Sequence, residues 1–352
     1  QAELILRGWG IGAEAAGMTA SVLLDADLKG IPSHGISMLD FYERLLRAGQ
    51  IAVTGEPRLL RETATTALID GAALMGHPTA VMAMTLAIGK AKAQGLGAVA
   101  VRNAQHFGAA GTYAEMAARR GLIALMTCST RLPAVVPTFG TEPMLGTNPF
   151  AFAAPGGRHP PVILDMATSV VPGNRVRVYA LEGRDIPPGW VVDAEGRDVT
   201  EAALAWKLLF ERLGGGLAPL GGSSPLTGGH KGYGLALFAQ ILGSTLAGAS
   251  FSPIRNRTQQ PSEPDDIGHF FLVLDPAAFR PLDEFQDDLD AVLDTLRACP
   301  RADPDQPVLV PGDPEWRCMA EREAQGVPVE QGLLRRLREI AEAAGAAWLI
   351  AD

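Results

Sequence analysis

Four short polar clusters carry the residue types that proton and hydride chemistry needs. The first, Ser33-His34-Gly35, follows Pro32 and precedes a helix. A serine hydroxyl there can hold one imidazole nitrogen while the other exchanges a proton near neutral pH. The same residues also read as a serine N-cap beside a surface histidine. The second cluster, Asn103 to Gly108 (NAQHFG), stands at the carboxyl end of a short apolar strand. Ligands of α/β sheets collect at such ends. Its His106 is a second proton-active group, or a loop histidine satisfied by a carbonyl, and Gly108 and Gly111 allow close backbone approach.

The third cluster pairs Gly146-Thr147-Asn148-Pro149 with Leu164-Asp165-Met166-Ala167-Thr168-Ser169. Asp165 ends an apolar strand, and Asp, Thr and Ser at that edge suit ribose hydroxyls or a carboxamide. Asn and Asp are also ordinary turn residues. The fourth, Gly228-Gly229-His230-Lys231-Gly232, opens the apolar helix Leu235 to Leu246. Unpaired N–H groups at a helix start, with a lysine, make an anion site, and a flexible glycine turn is the alternative.

The elements that hold these clusters follow from periodicity. Leu23, Leu24, Ala26 and Leu28 lead into Gly30 and Pro32, a helix stop, and Leu39, Tyr42, Leu45 and Leu46 set a second helix ended by Gly49. The middle alternates: helix Pro78 to Gln94, strand Leu96 to Arg102, helix Ala109 to Arg120, strand Leu122 to Cys128. Val162 to Leu164 and Phe270 to Leu274 are later strands. Residues 173–230 read as loops with one helix near Ala202 to Arg212, and Leu333, Leu334, Leu337, Ile340 and Ala341 form an amphipathic helix. The fold class is therefore α/β, with helical material from both chain ends meeting in one unit.

Composition narrows the function. The 352 residues, 47% hydrophobic and 20% charged, suffice for a sizeable core. The net charge of −9 argues against nucleic acid or an anionic membrane as partner. No apolar run reaches the roughly 20 residues of a membrane span, and no signal-like segment opens the sequence, so a cytoplasmic location is expected. Three cysteines without a C-x-x-C point to thiols rather than a disulfide framework. Six scattered histidines favour no metal site. P-loop, G-x-S-x-G and H-E-x-x-H motifs are absent. Gly95-x-Gly97-x-x-Ala100 imitates a Rossmann fingerprint, but it follows a helix and opens a strand, the reverse of the required order.

Taken in order, SHG, HFG-x-A-G, GTNP-x-AFA-x-P, DMATS and GGHKGYGLAL resemble the malate/L-lactate/L-sulfolactate/ureidoglycolate dehydrogenase family. This is the type-2 group that also includes Δ1-piperideine-2-carboxylate reductase. Ile186 to Trp190, Asp266 to Phe270 and Val310 to Gly312 extend the likeness over nearly the whole chain. The resemblance implies an NAD- or NADP-dependent oxidoreductase with a non-Rossmann nucleotide-binding α/β domain, residues 61–314. It also implies a helical domain from residues 1–60 and 315–352, and a homodimer. By position it makes His34 and His106 catalytic, with Ser33 in support. It places cofactor contacts at Ser129, Thr130, Asn148, Asp165, Met166, Ala167, Thr168, Ser169, His230, Lys231, Pro311, Gly312 and Asp313. Lys231 also falls to the substrate.

One position departs from the pattern. Many members carry an arginine three residues after the SHG glycine, paired with the substrate carboxylate, and here it is Met38. Arg44, Arg47, Arg131, Arg255 and Arg257 are the cations that could take its place. The expected reaction interconverts a 2-hydroxy acid (malate, lactate or sulfolactate-like) and its 2-oxo acid. Reduction of a cyclic imine is the alternative within the family. A Ser33–His34 hydrolase and a non-catalytic nucleotide-binding regulator rank below both.

Overall fold

The computed structural model describes residues 1–211 and 213–350; Arg212, where the helix near Ala202 was expected to end, lies outside the described residues, as do Ala351 and Asp352. Three helices open the chain: α1 (Ala2–Gly8), α2 (Ala13–Leu28) and α3 (Met38–Arg47). A tight turn over Pro32–His34 separates the last two. The antiparallel pair β1 (Arg58–Glu62) and β2 (Thr66–Asp70) follows, then α4 (Gly76–Gln94) and β3 (Leu96–Ala104). Next come α5 (Ala110–Ala118), β4 (Ile123–Cys128), β5 (Phe150–Ala154) and β6 (Val162–Met166).

Beyond β6 the chain builds α6 (Gly173–Leu181), β7 (Val191–Val192), β8 (Asp198–Val199), α7 (Ala202–Glu211), β9 (Gly216–Leu217) and α8 (Gly229–Gln240). The short α9 (Ser252–Arg255) leads to β10 (Ile267–Leu274), and α10 (Leu282–Arg297), α11 (Asp313–Gln325) and α12 (Gln331–Ala343) complete the chain.

Seven strands form the central sheet in the order β1-β2-β3-β10-β4-β5-β6. Only β2 and β3 pair in parallel; the other neighbours are antiparallel. The late strand β10 slots between β3 and β4, with Phe271 opposite both Val99 and Met126. Its burial on both faces explains its continuous apolar run. Helix α4 lies on β3 through the small residues Ala83, Ala87 and Ala91. A Cβ at Gly97 would overlap the Ala87 carbonyl, so this glycine sets the helix-to-sheet spacing.

A second apolar cluster joins the chain ends. Ile5, Leu6, Leu23, Leu39, Tyr42 and Leu45 pack with Leu337, Ile340 and Ala341. Arg336 on α12 reinforces the union, bonding Asp40 at 2.7 Å and Glu43 at 2.6 Å on α3. A third cluster surrounds the small sheet β8-β7-β9, where Val176, Val191, Ala205, Leu208 and Ala236 meet.

The structure corrects the reading of residues 173–230 as loops with one helix: α6 and a three-stranded sheet also lie there. The small strands are two residues each, too short to show a period. Likewise α8 begins at Gly229, so His230 and Lys231 sit inside its first turn rather than ahead of it.

Candidate functional site

The loops that follow β3 and β4 and the one that precedes β10 converge at one edge of the sheet, because β10 runs antiparallel to both neighbours. Residues 103–108, 129–131 and 265–268 are thereby brought together. The Pro32–His34 turn between α2 and α3 approaches the same place, and the rings of His34 and His106 stack with centroids 5.5 Å apart.

The His34 turn is held by Asp27 of α2. Its Oδ2 accepts the Ile36 N–H at 2.8 Å, and a Cβ at Gly35 would overlap the same carboxylate. Burial raises the Asp27 pKa, partly countered by the Ile36 bond and by Arg322. Ser33 Oγ lies 3.0 Å from His34 Nδ1, which leaves Nε2 for a reacting group. Loss of hydration lowers the His34 pKa.

His106 is more enclosed. Tyr42 on α3 places its hydroxyl 2.8 Å from His106 Nδ1 and 3.2 Å from His77 Nε2. The Gly108 N–H donates to the same Nδ1 at 3.3 Å. Burial, then the neighbouring His34, His77 and His269, push His106 well below the usual imidazole range. Burial does the same to His77 and His269, each to about 3. Gly76, just before His77, packs so tightly on the Gln105 carbonyl that a Cβ there would overlap it.

A cavity of about 50 Å³ opens beside His106, lined also by Phe41, Gln105, Ser129, Thr130, Arg131 and Ile267. Arg131 spans its wall. Its Nε pairs with buried Asp265, its Nη2 donates to Gln50 Oε1 at 3.4 Å, and the guanidinium lies 6.0 Å from the Phe41 ring centroid. Arg255 also faces Asp265, at 3.4 Å, and donates to the Arg131 carbonyl at 2.7 Å. Two cations thus share one carboxylate. The adjacent Asp266 is occupied by the Asn103 N–H and by Ser250. Arg44 and Arg47 are paired along α3 with Asp40 and Glu43. Met38 packs against the apolar cluster of the joined chain ends.

The third and fourth sequence clusters lie behind and beside this cavity. Ser129 and Thr130 line it. Asn148 is fully buried; its Oδ1 accepts the Thr130 N–H at 3.2 Å and its Nδ2 donates to the Ala236 carbonyl of α8 at 3.1 Å. Thr168 bonds the Asn148 carbonyl at 3.1 Å, and Ser169 bonds the Val171 carbonyl. These three side chains shape the backbone rather than present free polar atoms. His230 and Lys231 are exposed on the first turn of α8.

Asp165 stands apart, with Met166 and Ala167 continuing from it. Its Oδ2 accepts the Gly111 N–H at 2.7 Å, tying β6 to the start of α5. It shares a cleft of about 20 Å³ with Lys29, Thr112 and Glu315. Solvent reaches the residue, yet crowding by protein on its other sides raises its pKa to about 6. The Pro311 carbonyl accepts the Ile163 N–H at 3.2 Å, which sets Pro311 to Asp313 beside this strand. Asp313 is spent on Arg297, at 2.7 Å.

Sequence reasoning left out Tyr42, His77 and Asp265. Tyr42 was legible only as a core residue at helical spacing. The signal available was its hydroxyl, since a buried phenol needs a polar partner.

The sequence matches the malate/L-lactate dehydrogenase family over residues 1–338. It is 38% identical to a malate dehydrogenase of Pyrococcus horikoshii over 342 residues, covering 97% of this chain and 92% of that one. It is 37% identical to an L-sulfolactate dehydrogenase of Methanothermobacter thermautotrophicus over 337 residues, 96% of this chain and 92% of the relative. The fold superposes on the crystal structure of a malate dehydrogenase from Entamoeba histolytica with a TM-score of 0.93. The two are 32% identical, with 99% of this chain and 96% of that one covered.

Proposed function

The chain belongs to the malate/L-lactate dehydrogenase family, and from that premise we propose how its own residues carry out the reaction. The protein is an NAD(P)-dependent dehydrogenase that interconverts a 2-hydroxy acid and its 2-oxo acid. The relatives named for malate and sulfolactate point to a short acid with a second anionic group. One observation carries the assignment of roles: His106 lines a small cavity with His34 stacked on its ring, and the cavity wall holds Arg131, which shares its carboxylate partner with Arg255.

The nicotinamide, when bound, supplies or accepts the hydride at the substrate's C2 carbon. His34 gives a proton to the substrate oxygen through Nε2, or takes it, while Ser33 steadies Nδ1. His106 orients that oxygen from the other side. Arg131 receives the substrate carboxylate in the role that Met38 cannot fill, because its charge is only partly offset by Asp265. Phe41 and Phe107 keep the cavity apolar, which strengthens each of these electrostatic contacts.

The residues present fit a nicotinamide dinucleotide. Lys231 and His230 at the start of α8 offer positive charge and helix N–H groups to the phosphates. The solvent-facing carboxylate of Asp165, fixed by Gly111, suits a ribose hydroxyl. Ser129 and Thr130 reach the cavity itself, and Asn148, Thr168 and Ser169 keep the surrounding backbone in place. We place this nucleotide site in residues 61–314, on a sheet other than a Rossmann sheet. The single parallel pair and the helix-to-strand order at Gly95–Gly97 support that reading. We assign residues 1–60 and 315–352 to a helical domain across the cleft, with β1 (Arg58–Glu62) and α11 (Asp313–Gln325) crossing its boundaries.

A homodimer suits the outward face of α8 and the turn after it, where Leu237, Phe238, Ile241 and Leu246 are exposed. Leu237→Glu should then yield monomers in sedimentation velocity, and an unchanged dimer would refute that face. Free thiols at Cys128, Cys299 and Cys318 agree with a cytoplasmic location. Among the described residues no helix is long and apolar enough to cross a membrane.

Single substitutions test the roles. His34→Ala should lower kcat by about 10²- to 10⁴-fold, the usual worth of a general acid–base group. Turnover surviving in both His34→Ala and His106→Ala would remove the histidines from the mechanism.

A further inference from the structure

We infer that His77 and Tyr42 form a buried hydrogen-bond chain that fixes His106 as the Nε2–H tautomer, making it a positioned hydrogen-bond donor rather than a base. The inference rests on the proposed placement of substrate beside His106 and deepens it by separating the work of the two histidines.

The direction of the chain follows from a group with no choice. A backbone N–H can only donate, and Gly108 N–H points at His106 Nδ1 from 3.3 Å. That nitrogen therefore carries a lone pair, and the ring proton of the neutral imidazole sits on Nε2. The Tyr42 hydroxyl, 2.8 Å from the same Nδ1, must then be a donor as well. Its oxygen is left to accept, so His77 Nε2, at 3.2 Å, donates to it. His77 Nδ1 is buried with no hydrogen-bond partner, as an acceptor lone pair in an apolar wall. The Gly108 contact is the longer and shows only which way the chain runs; the shorter Tyr42 bond, itself oriented by His77, takes the single Nδ1 lone pair and holds the tautomer, so each proton in the chain has one position.

Packing makes the arrangement rigid. His77 and Tyr42 are each almost fully buried, and their rings meet edge-on with centroids 5.4 Å apart. Phe41 sits edge-on to His106 on the cavity side, at 6.1 Å. His77 opens α4 of the sheet layer and Tyr42 belongs to α3 of the helical layer, so the chain also bridges the two apolar clusters. Among the described residues no protein group bonds His106 Nε2. The substrate oxygen is the partner it lacks. Burial holds the Tyr42 hydroxyl protonated and His106 uncharged, consistent with a donor that does not itself titrate. The proton that moves in the reaction is then left to His34, whose Nδ1 partner is a single exposed serine.

The test is nitrogen-15 spectroscopy of histidine-labelled protein, with the His106 signals identified by their loss in His106→Asn. In the wild-type chain, Nε2 of His106 should show the shift of a protonated ring nitrogen and Nδ1 that of an unprotonated one. Tyr42→Phe and His77→Ala should move both shifts toward the average of mixed tautomers and lower kcat about tenfold. His77→Gln, whose side-chain amide can still donate to Tyr42, should restore both. A proton on Nδ1 in the wild-type chain would overturn the inference. So would a Tyr42→Phe variant with unchanged shifts and unchanged kcat. Full turnover in His106→Asn, with the wild-type shifts as expected, would instead overturn the placement of substrate beside His106 and leave the hydrogen-bond chain standing.

Discussion

Gly35 packs directly on the carboxylate of Asp27, leaving no room for a β-carbon between the loop that carries His34 and helix α2. The same carboxylate accepts the Ile36 N–H at 2.8 Å. Asp27 thus holds the histidine turn from beneath, although it touches no part of the cavity. Gly35→Ala should push the turn outward and lower kcat/KM by at least tenfold with the chain still folded. Steady-state kinetics beside circular dichroism would check this; a Gly35→Ala enzyme of normal activity would show that the close packing does not position His34.

Arg131 gives a second expectation. A charge-assisted hydrogen bond contributes about 1.5–3 kcal/mol, so Arg131→Met should raise KM for the acid roughly 10- to 100-fold at 1.4 kcal/mol per tenfold. Arg131→Lys should recover only part, because an ammonium cannot make the planar two-point contact. KM for the nicotinamide cofactor should stay nearly constant. Equal losses for acid and cofactor would assign Arg131 to structure instead.

Much of the architecture was legible in the sequence because small and apolar residues keep their period there. Ala80, Ala83, Ala87 and Ala91 mark the inner face of α4, and Gly95, with φ of 80°, ends it where the C-cap was expected. Other parts were hidden. β1 is exposed at all five positions and alternates nothing, so its sequence (RLLRE) has no strand signature. The position of β10 between β3 and β4 depends on pairings with strands far earlier in the chain, such as His269 with Cys128 and Leu274 with Leu96, which no local pattern encodes. At the site, His34 and His106 stood out by residue type and turn context. Tyr42 and His77 did not, since their polarity is spent on each other and on His106 inside an apolar wall.

The buried histidines set the acid limb of stability. His77 and His269 hold pKa values of about 3 in the folded chain, against about 6.5 when unfolded. Between those values the unfolded chain binds protons that the native chain refuses, so stability is intact above pH 6.5 and falls as pH drops toward 3. Each histidine contributes a slope of about 1.4 kcal/mol per pH unit. Asp165, raised to about 6, acts oppositely, favouring the folded state as pH falls through that value. Asp27, also raised by burial, acts with Asp165, but the lowered histidines His34, His77, His106 and His269 outweigh these two carboxylates. Calorimetry at pH 7 and pH 5 should show a lower Tm at pH 5, and a smaller difference for His77→Gln. Equal differences in the two proteins would contradict the assignment.

The central claim is hydride transfer between a nicotinamide and the C2 carbon of a 2-oxo acid. Its most direct test follows absorbance at the reduced-nicotinamide band, with NADH and NADPH offered separately to a panel of 2-oxo acids and cyclic imino acids. Oxidation of one reduced cofactor by a short 2-oxo acid, abolished in His34→Ala, is the expected result. Oxidation with cyclic imines alone, or none with any acid despite measurable cofactor binding, would contradict it.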